Sequence, residues 1–121
     1  MNIKRVRRIS SEIKKVISNC ILNSIKDPRI DKLNVSITEV KVTNDLSFAT
    51  IYVDVIGDDD KKEKTLEGLN KAKGYIKKEI GDSIDLRHVP QLIFKLDNTS
   101  EQGMHIENLI KVIHDESKNG R

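Results

Sequence analysis

Four basic residues stand at repeating intervals near the start of the chain: Arg7 and Arg8, then Lys14 and Lys15. On a helix, residues seven apart lie two turns above one another, so Arg7 stacks over Lys14 and Arg8 over Lys15. A stripe of fixed cations is suited to phosphate contact, because guanidinium and ammonium groups donate hydrogen bonds to phosphate oxygens and offset their charge. A solvated helix face is the plain alternative. Such a face normally mixes signs, whereas Glu12 is the one acid between Met1 and Lys26. A second group, Lys71, Lys73, Lys77 and Lys78, is flanked by Glu67 and Glu79, which neutralise part of its charge.

Other reactive residue types form no machinery. His88, His105 and His114 are far apart and accompany no cysteine pair, so no metal site is expected. His105-Ile106-Glu107 has the spacing of a zinc deaminase motif but lacks the partner cysteines. Cys20, the single cysteine, excludes an intrachain disulfide and falls on an apolar helix face, where an inert buried thiol is expected. Asp58, Asp59 and Asp60 read as a solvated helix start rather than a cation site. No Gly-x-x-x-x-Gly-Lys loop or Gly-x-Gly-x-x-Gly turn is present to cradle a nucleotide. The residues therefore assign no catalytic group, no cofactor and no metal, and the chain does not read as an enzyme.

The elements that position these residues follow from periodicity. From Val6 to Ile25, apolar residues at Val6, Ile9, Ile13, Val16, Ile17, Cys20 and Ile21 mark one face of an amphipathic helix, and Asp27-Pro28-Arg29 ends it. Leu33, Val35 and Ile37 alternate as a strand, and the phase then shifts to Val40 and Val42, which requires a bulge near Thr38 and Glu39. Asn44-Asp45 supplies a turn, and Ala49, Ile51, Val53 and Val55 complete an antiparallel hairpin. A second helix is expected from about Lys62 to Ile80, with Leu66, Leu69, Ala72, Ile76 and Ile80 inward and Gly81 closing it. Leu92, Phe94 and Leu96 form a third strand. Thr99 with Gln102 reads as a capping box opening a short helix over Ile106, Leu109, Ile110 and Ile113. Layer logic then gives an α+β domain, a three-stranded sheet with helices on one face, over residues 1–114, followed by a polar tail, 115–121.

Length and charge bound the class. With 121 residues there is room for one core, and no apolar run approaches the roughly 18 residues needed to cross a bilayer. Without a secretory leader pattern, a cytoplasmic protein is expected. The net charge of +3 conceals an asymmetry: Met1 to Lys26 holds seven Lys or Arg against Glu12, while the rest carries 15 basic against 18 acidic residues. The positive excess is thus local, the footprint of a polyanion partner. Aromatics at 3% argue against binding built mainly on base stacking.

One further anomaly sits mid-helix. A straight helix would put Lys73 on the apolar side, and Gly74 costs about 1 kcal/mol there relative to alanine. The chain has only two alanines, Ala49 and Ala72. A rare small residue two positions before a helical glycine points to a kink or a close approach at Ala72-Lys73-Gly74.

Helix, hairpin, bent helix and strand in this order resemble a type II KH domain, an RNA-binding fold, although no Gly-x-x-Gly loop is present. With Ala72-Lys73-Gly74 in its place, the chain resembles the ribosome-binding factor A family. Asp27-Pro28-Arg29-Ile30, Asp45-Leu46-Ser47-Phe48-Ala49 with Ile51-Tyr52-Val53, and Leu69 to Ile76 carry the likeness. So do Leu86-Arg87 with Pro90, Leu92 and Phe94, and then Asp97, Ser100, Glu101 and Gly103. The resemblance spans about Arg5 to Ile110. It implies a non-enzymatic factor that binds the free small ribosomal subunit and its rRNA. It also implies help with late maturation and 5′-end processing, in connection with growth in the cold. Combined with the charge pattern, the expected RNA-binding residues are Arg5, Arg7, Arg8, Lys14, Lys15, Lys71, Lys73, Lys77, Lys78 and Arg87, shaped by a kink at Ala72 and Gly74. A monomer with no membrane and no small-molecule substrate is expected. A generic KH-like RNA binder, or a small ligand-binding regulatory domain, is the alternative.

Overall fold

The computed structural model describes residues 3–97. Helix α1 (Ile3–Asn19) runs into a π-helical turn, Cys20–Ser24, followed by strands β1 (Val35–Val42) and β2 (Phe48–Val55). Helices α2 (Asp59–Lys71) and α3 (Lys73–Ser83) and strand β3 (Gln91–Leu96) complete the order. The fold is the α-β-β-α-β arrangement of a KH-like α+β domain. The closing helix and polar tail expected beyond Asp97 lie outside the described residues.

The apolar stripe of α1 becomes the core. Ile9, Ile13, Ile17, Cys20 and Ile21 are buried, and α1 packs on β1 and α3. Burial of each large aliphatic side chain contributes up to about 1.5–3 kcal/mol. The wide turn at the end of α1 closes with Ile25 N–H donating to the Cys20 carbonyl over 2.8 Å, a five-residue step. Ile25 is already extended, so the α-geometry stops well before Pro28.

Strand β2 is central in the order β1-β2-β3, antiparallel to β1 and parallel to β3. A parallel pair needs a long crossover, and α2 with α3 provide it. The β1 register shifts between Ile37 and Glu39, at the position required by the phase change, so Val35, Ile37 and Val40 all reach the core. Ala49, Ile51, Val53 and Val55 face the same side, as do Leu92 and Phe94. The helices cover this face, while Ser36, Glu39, Lys41, Gln91 and Lys95 on the other remain exposed.

Three expectations need correction. Leu33 is not in the strand: it lies in the turn before β1 and is 87% exposed. Alternation extends equally well into an exposed apolar residue, and Asp31 ends that reading by accepting from Asn34 Nδ2 over 2.7 Å to form the turn. Helix α2 starts at Asp59, not about Lys62, because Asp58 caps it by accepting from Lys61 N–H over 2.9 Å. Gly81 does not close α3, which continues to Ser83. Its missing Cβ leaves space for Val89, whose Cγ2 would lie 3.3 Å from one.

The helix break is where Ala72-Lys73-Gly74 pointed. Ala72 (φ −86°, ψ 1°) departs from α geometry and separates α2 from α3, and its N–H reaches the Gly68 and Leu69 carbonyls. Ala72 is half-buried against the core. Gly74 is exposed, and a Cβ there would meet nothing within 4 Å, so the glycine is not required by internal packing.

Candidate nucleic-acid interface

Because α1 buries its aliphatic stripe, its opposite face must be solvent-facing, and Arg7, Arg8, Lys14 and Lys15 are all exposed. They are not equivalent. Arg7 and Lys14, together with Ser10 and Ser11, line a groove between α1 and β1 whose far wall is Thr38 to Val42. Lys14 Nζ donates to the Thr38 carbonyl at 3.4 Å, at the bulge. Lys41 belongs to the same wall, but its side chain lies on the outer face of the sheet, with Nζ 5.5 Å from the centre of the Tyr52 ring. Arg8 is partly neutralised by Glu12, with Nε 3.4 Å from Oε2 across one helical turn. Both ends of that pair are well exposed, so it contributes only a few tenths of a kcal/mol and can be exchanged for another anion.

Arg5 and Arg87, far apart in sequence, meet in a second cleft of about 640 Å³. Its walls are the N-terminal part of α1, the β1–β2 turn and the loop from α3 to β3, with Asp45, Phe48, His88 and Gln91 also lining it. The turn is well built. Asp45 Oδ1 accepts from Thr43 Oγ1 (2.8 Å) and from Ser47 N–H (3.0 Å), and these bonds hold its carboxyl below the usual carboxylate range.

The lysines near the helix break are more dispersed. Lys71 ends α2 and shares a shallow surface depression with Arg29, Glu67 and Asn70. Lys73 and Lys77 are half-buried, and Lys78 pairs with Asp82 at 3.3 Å. Eight of the ten basic residues thus fall into an α1–β1 groove, an Arg5–Arg87 cleft and the neighbourhood of the break, while Arg8 and Lys15 stand on the exposed face of α1 outside them, so there is no single continuous strip.

Among the described residues, no group of three or more His, Cys, Asp or Glu could hold a metal ion. Cys20 is buried, and burial, reinforced by the charge of Glu79, pushes its thiol pKa up, which keeps it protonated and unreactive. His105 and His114 lie outside the described residues. No helix among the described residues is long and apolar enough to cross a membrane.

Residues 5–110 match the family model described as Ribosome-binding factor A. The chain belongs to the ribosome-binding factor A family. A ribosome-binding factor A from Finegoldia magna is 80% identical over 119 residues, covering 98% of each chain. A solution NMR structure from Thermotoga maritima is 29% identical, covers 78% of this chain and 89% of that one, and superposes with a TM-score of 0.69. Coordinates of a Thermus thermophilus ribosome-binding factor A, fitted as a homology model into a cryo-EM map of a 30S complex, share the fold. They are 21% identical, cover 74% of this chain and 92% of that one, and give a TM-score of 0.61. The ribosome-binding factor A family is by its description one of ribosome-binding factors.

Two residues that shape this ribosome-binding factor A domain were invisible to charge counting. Phe48 stands in the Arg5–Arg87 cleft, although low aromatic content argued against binding built mainly on base stacking. Gly68 lets α2 approach the segment after Pro28, since a Cβ there would stand 2.9 Å from Ile30 Cγ1. Its signal was its place on the inward side of α2, one residue before Leu69.

Proposed function

We propose that this chain is a ribosome assembly factor that binds the free small ribosomal subunit through phosphate contacts to folded rRNA. The observation that carries this reading is the exposed row Arg7, Arg8, Lys14 and Lys15 on α1, with Arg7 and Lys14 opening onto the groove beside the β1 bulge. Backbone contact to structured RNA fixes orientation without reading bases, so shape supplies the selectivity. The 30S complex of the Thermus thermophilus relative supports the choice of partner.

The lysines around Ala72 extend the footprint. With Gly74 exposed and carrying no side chain, a partner backbone can approach the start of α3 closely there. In this reading the protein acts as a cytoplasmic monomer. It assists late maturation and 5′-end processing of small-subunit rRNA, with the greatest demand during growth in the cold.

Sedimentation of a cell lysate tests the reading. The protein is expected to migrate with free small subunits and not with complete ribosomes, and cells lacking it are expected to accumulate rRNA with an unprocessed 5′ end. A low-mass soluble peak at low salt contradicts the proposal.

A further inference from the structure

We infer that the Arg5–Arg87 cleft takes one unstacked nucleotide of a single-stranded RNA segment, with the Phe48 ring as its stacking face and the two guanidiniums at the adjoining phosphates. The inference deepens the RNA-facing reading above and rests on it.

Phe48 is 47% exposed, a large ring left facing solvent inside a cleft lined by two arginines. Its counterpart Phe94 is buried, so this exposure does not come from a shortage of core. The cleft, about 640 Å³, lies in the range of sites for one small ligand, room for a nucleotide but not for a duplex. Base–aromatic stacking needs a base that has left its helix, which loops, bulges and ends of rRNA provide.

The walls are held in place before any ligand arrives. Phe48 N–H donates to Thr43 Oγ1 (3.0 Å), and Thr43 N–H donates to the Phe48 carbonyl (2.9 Å), which fixes the ring's backbone at the start of β2. Gln91 N–H donates to the Ser47 carbonyl over 2.9 Å, joining the turn to the loop that carries Arg87. Leu46, between Asp45 and Ser47, is the one non-glycine residue with positive φ among the described residues (62°). A leucine held in that region stores strain, which the hydrogen bonds of this turn sustain.

The charges sort the ligand's parts. Arg5 and Arg87 both line the cleft, and guanidinium forks suit phosphate oxygens, so the phosphates belong at the arginines. Asp45 and Gln91 line the same cleft and supply its other polar groups. A purine presents a larger face to the Phe48 ring than uracil does, so adenine is the better-stacked base.

The test is fluorescence anisotropy of labelled oligoadenylate and oligouridylate with the wild type, Phe48→Ala, Phe48→Leu and Phe48→Tyr, alongside binding of each protein to purified small subunits. Oligoadenylate is expected to bind more tightly than oligouridylate. Phe48→Ala and Phe48→Leu should weaken oligoadenylate binding about 5- to 100-fold, while Phe48→Tyr should stay within about 2-fold, since it keeps the ring. Phe48→Leu keeps an apolar side chain on β2, so the test stands even if the alanine variant is unstable. The inference is overturned if wild type binds no oligoadenylate, if removing the ring changes nothing, or if free adenosine monophosphate competes as well as the oligomer. Each of these with intact subunit binding removes the cleft assignment alone; wild type that fails to bind subunits removes the broader reading.

Discussion

Lys14 Nζ lies 3.4 Å from the carbonyl oxygen of Thr38, the residue that bulges from β1. One contact thus joins the basic face of α1 to the irregular edge of the sheet. The bulge turns a carbonyl out of the ladder, and Lys14 partly satisfies it while keeping donors for another acceptor. Because the contact is exposed, Lys14→Met is expected to change stability by less than about 0.5 kcal/mol. The same variant should weaken small-subunit binding and reduce the magnitude of the log-affinity against log-salt slope by about 0.7–0.9. Urea melts and binding at several salt concentrations read the two effects separately.

The two glycines on either side of the helix break should respond in opposite directions to alanine. At Gly68, the new Cβ meets Ile30 Cγ1 at 2.9 Å and Cδ1 at 3.2 Å. Overpacking of that kind costs about 1–3 kcal/mol, more than the helix preference of about 1 kcal/mol returns. Gly68→Ala is therefore expected to destabilise, and combined with Ile30→Ala, which removes both atoms, it should cost less in urea melts than the sum of the two single variants.

At Gly74 nothing lies within 4 Å of the new Cβ, so Gly74→Ala should raise stability by about 0.5–1 kcal/mol. Under the proposed close approach it should also weaken subunit binding. A stabilised variant that binds as wild type does would remove Gly74 from the interface.

Acid sensitivity should be traceable to the segment leaving α1. Asp27 accepts from Arg29 Nη2 (2.6 Å), Nε (2.9 Å) and N–H (2.9 Å), and these bonds hold its carboxyl down to about 2. An unfolded aspartate titrates near 3.9, so between the two values the unfolded chain binds the extra proton. The stabilisation is thus fully present above about pH 5 and lost as pH falls toward 2. Asp31, held down first by Lys61 and then by Asn34, and Asp45 in its turn act with the same sign. Asp27→Asn should flatten the fall of the melting temperature in this window and leave the profile above pH 6 parallel to that of wild type.

Much of this fold was legible because the signals were local. Ile9, Ile13 and Ile17 set the face of α1, and the phase slip from Ile37 to Val40 located the bulge. Ala72 and Gly74 located the break, although Ala72 carries the altered backbone and Gly74 sits beside it in the first turn of α3. Boundaries were less legible where two signals competed: Asp58 outweighed the first lysines as the start of α2, and Gly81 proved to be a packing glycine. The candidate site was legible as charge but not as geometry. That Arg5 and Arg87 meet beside Phe48 depends on the parallel pairing of β2 with β3, a non-local choice that no local spacing encodes. Side-chain partners such as Glu12 on Arg8 and Asp82 on Lys78 likewise became assignable only in three dimensions.

The central claim is electrostatic attachment to the small subunit through the basic face of α1. Equilibrium binding of purified small subunits, measured across a salt series for wild type and for a variant carrying Arg7→Glu, Arg8→Glu, Lys14→Glu and Lys15→Glu, tests it most directly. Four lost phosphate contacts should weaken binding strongly at low salt and shrink the slope magnitude by about 3. Unchanged affinity and slope in a variant that melts cooperatively would contradict the account.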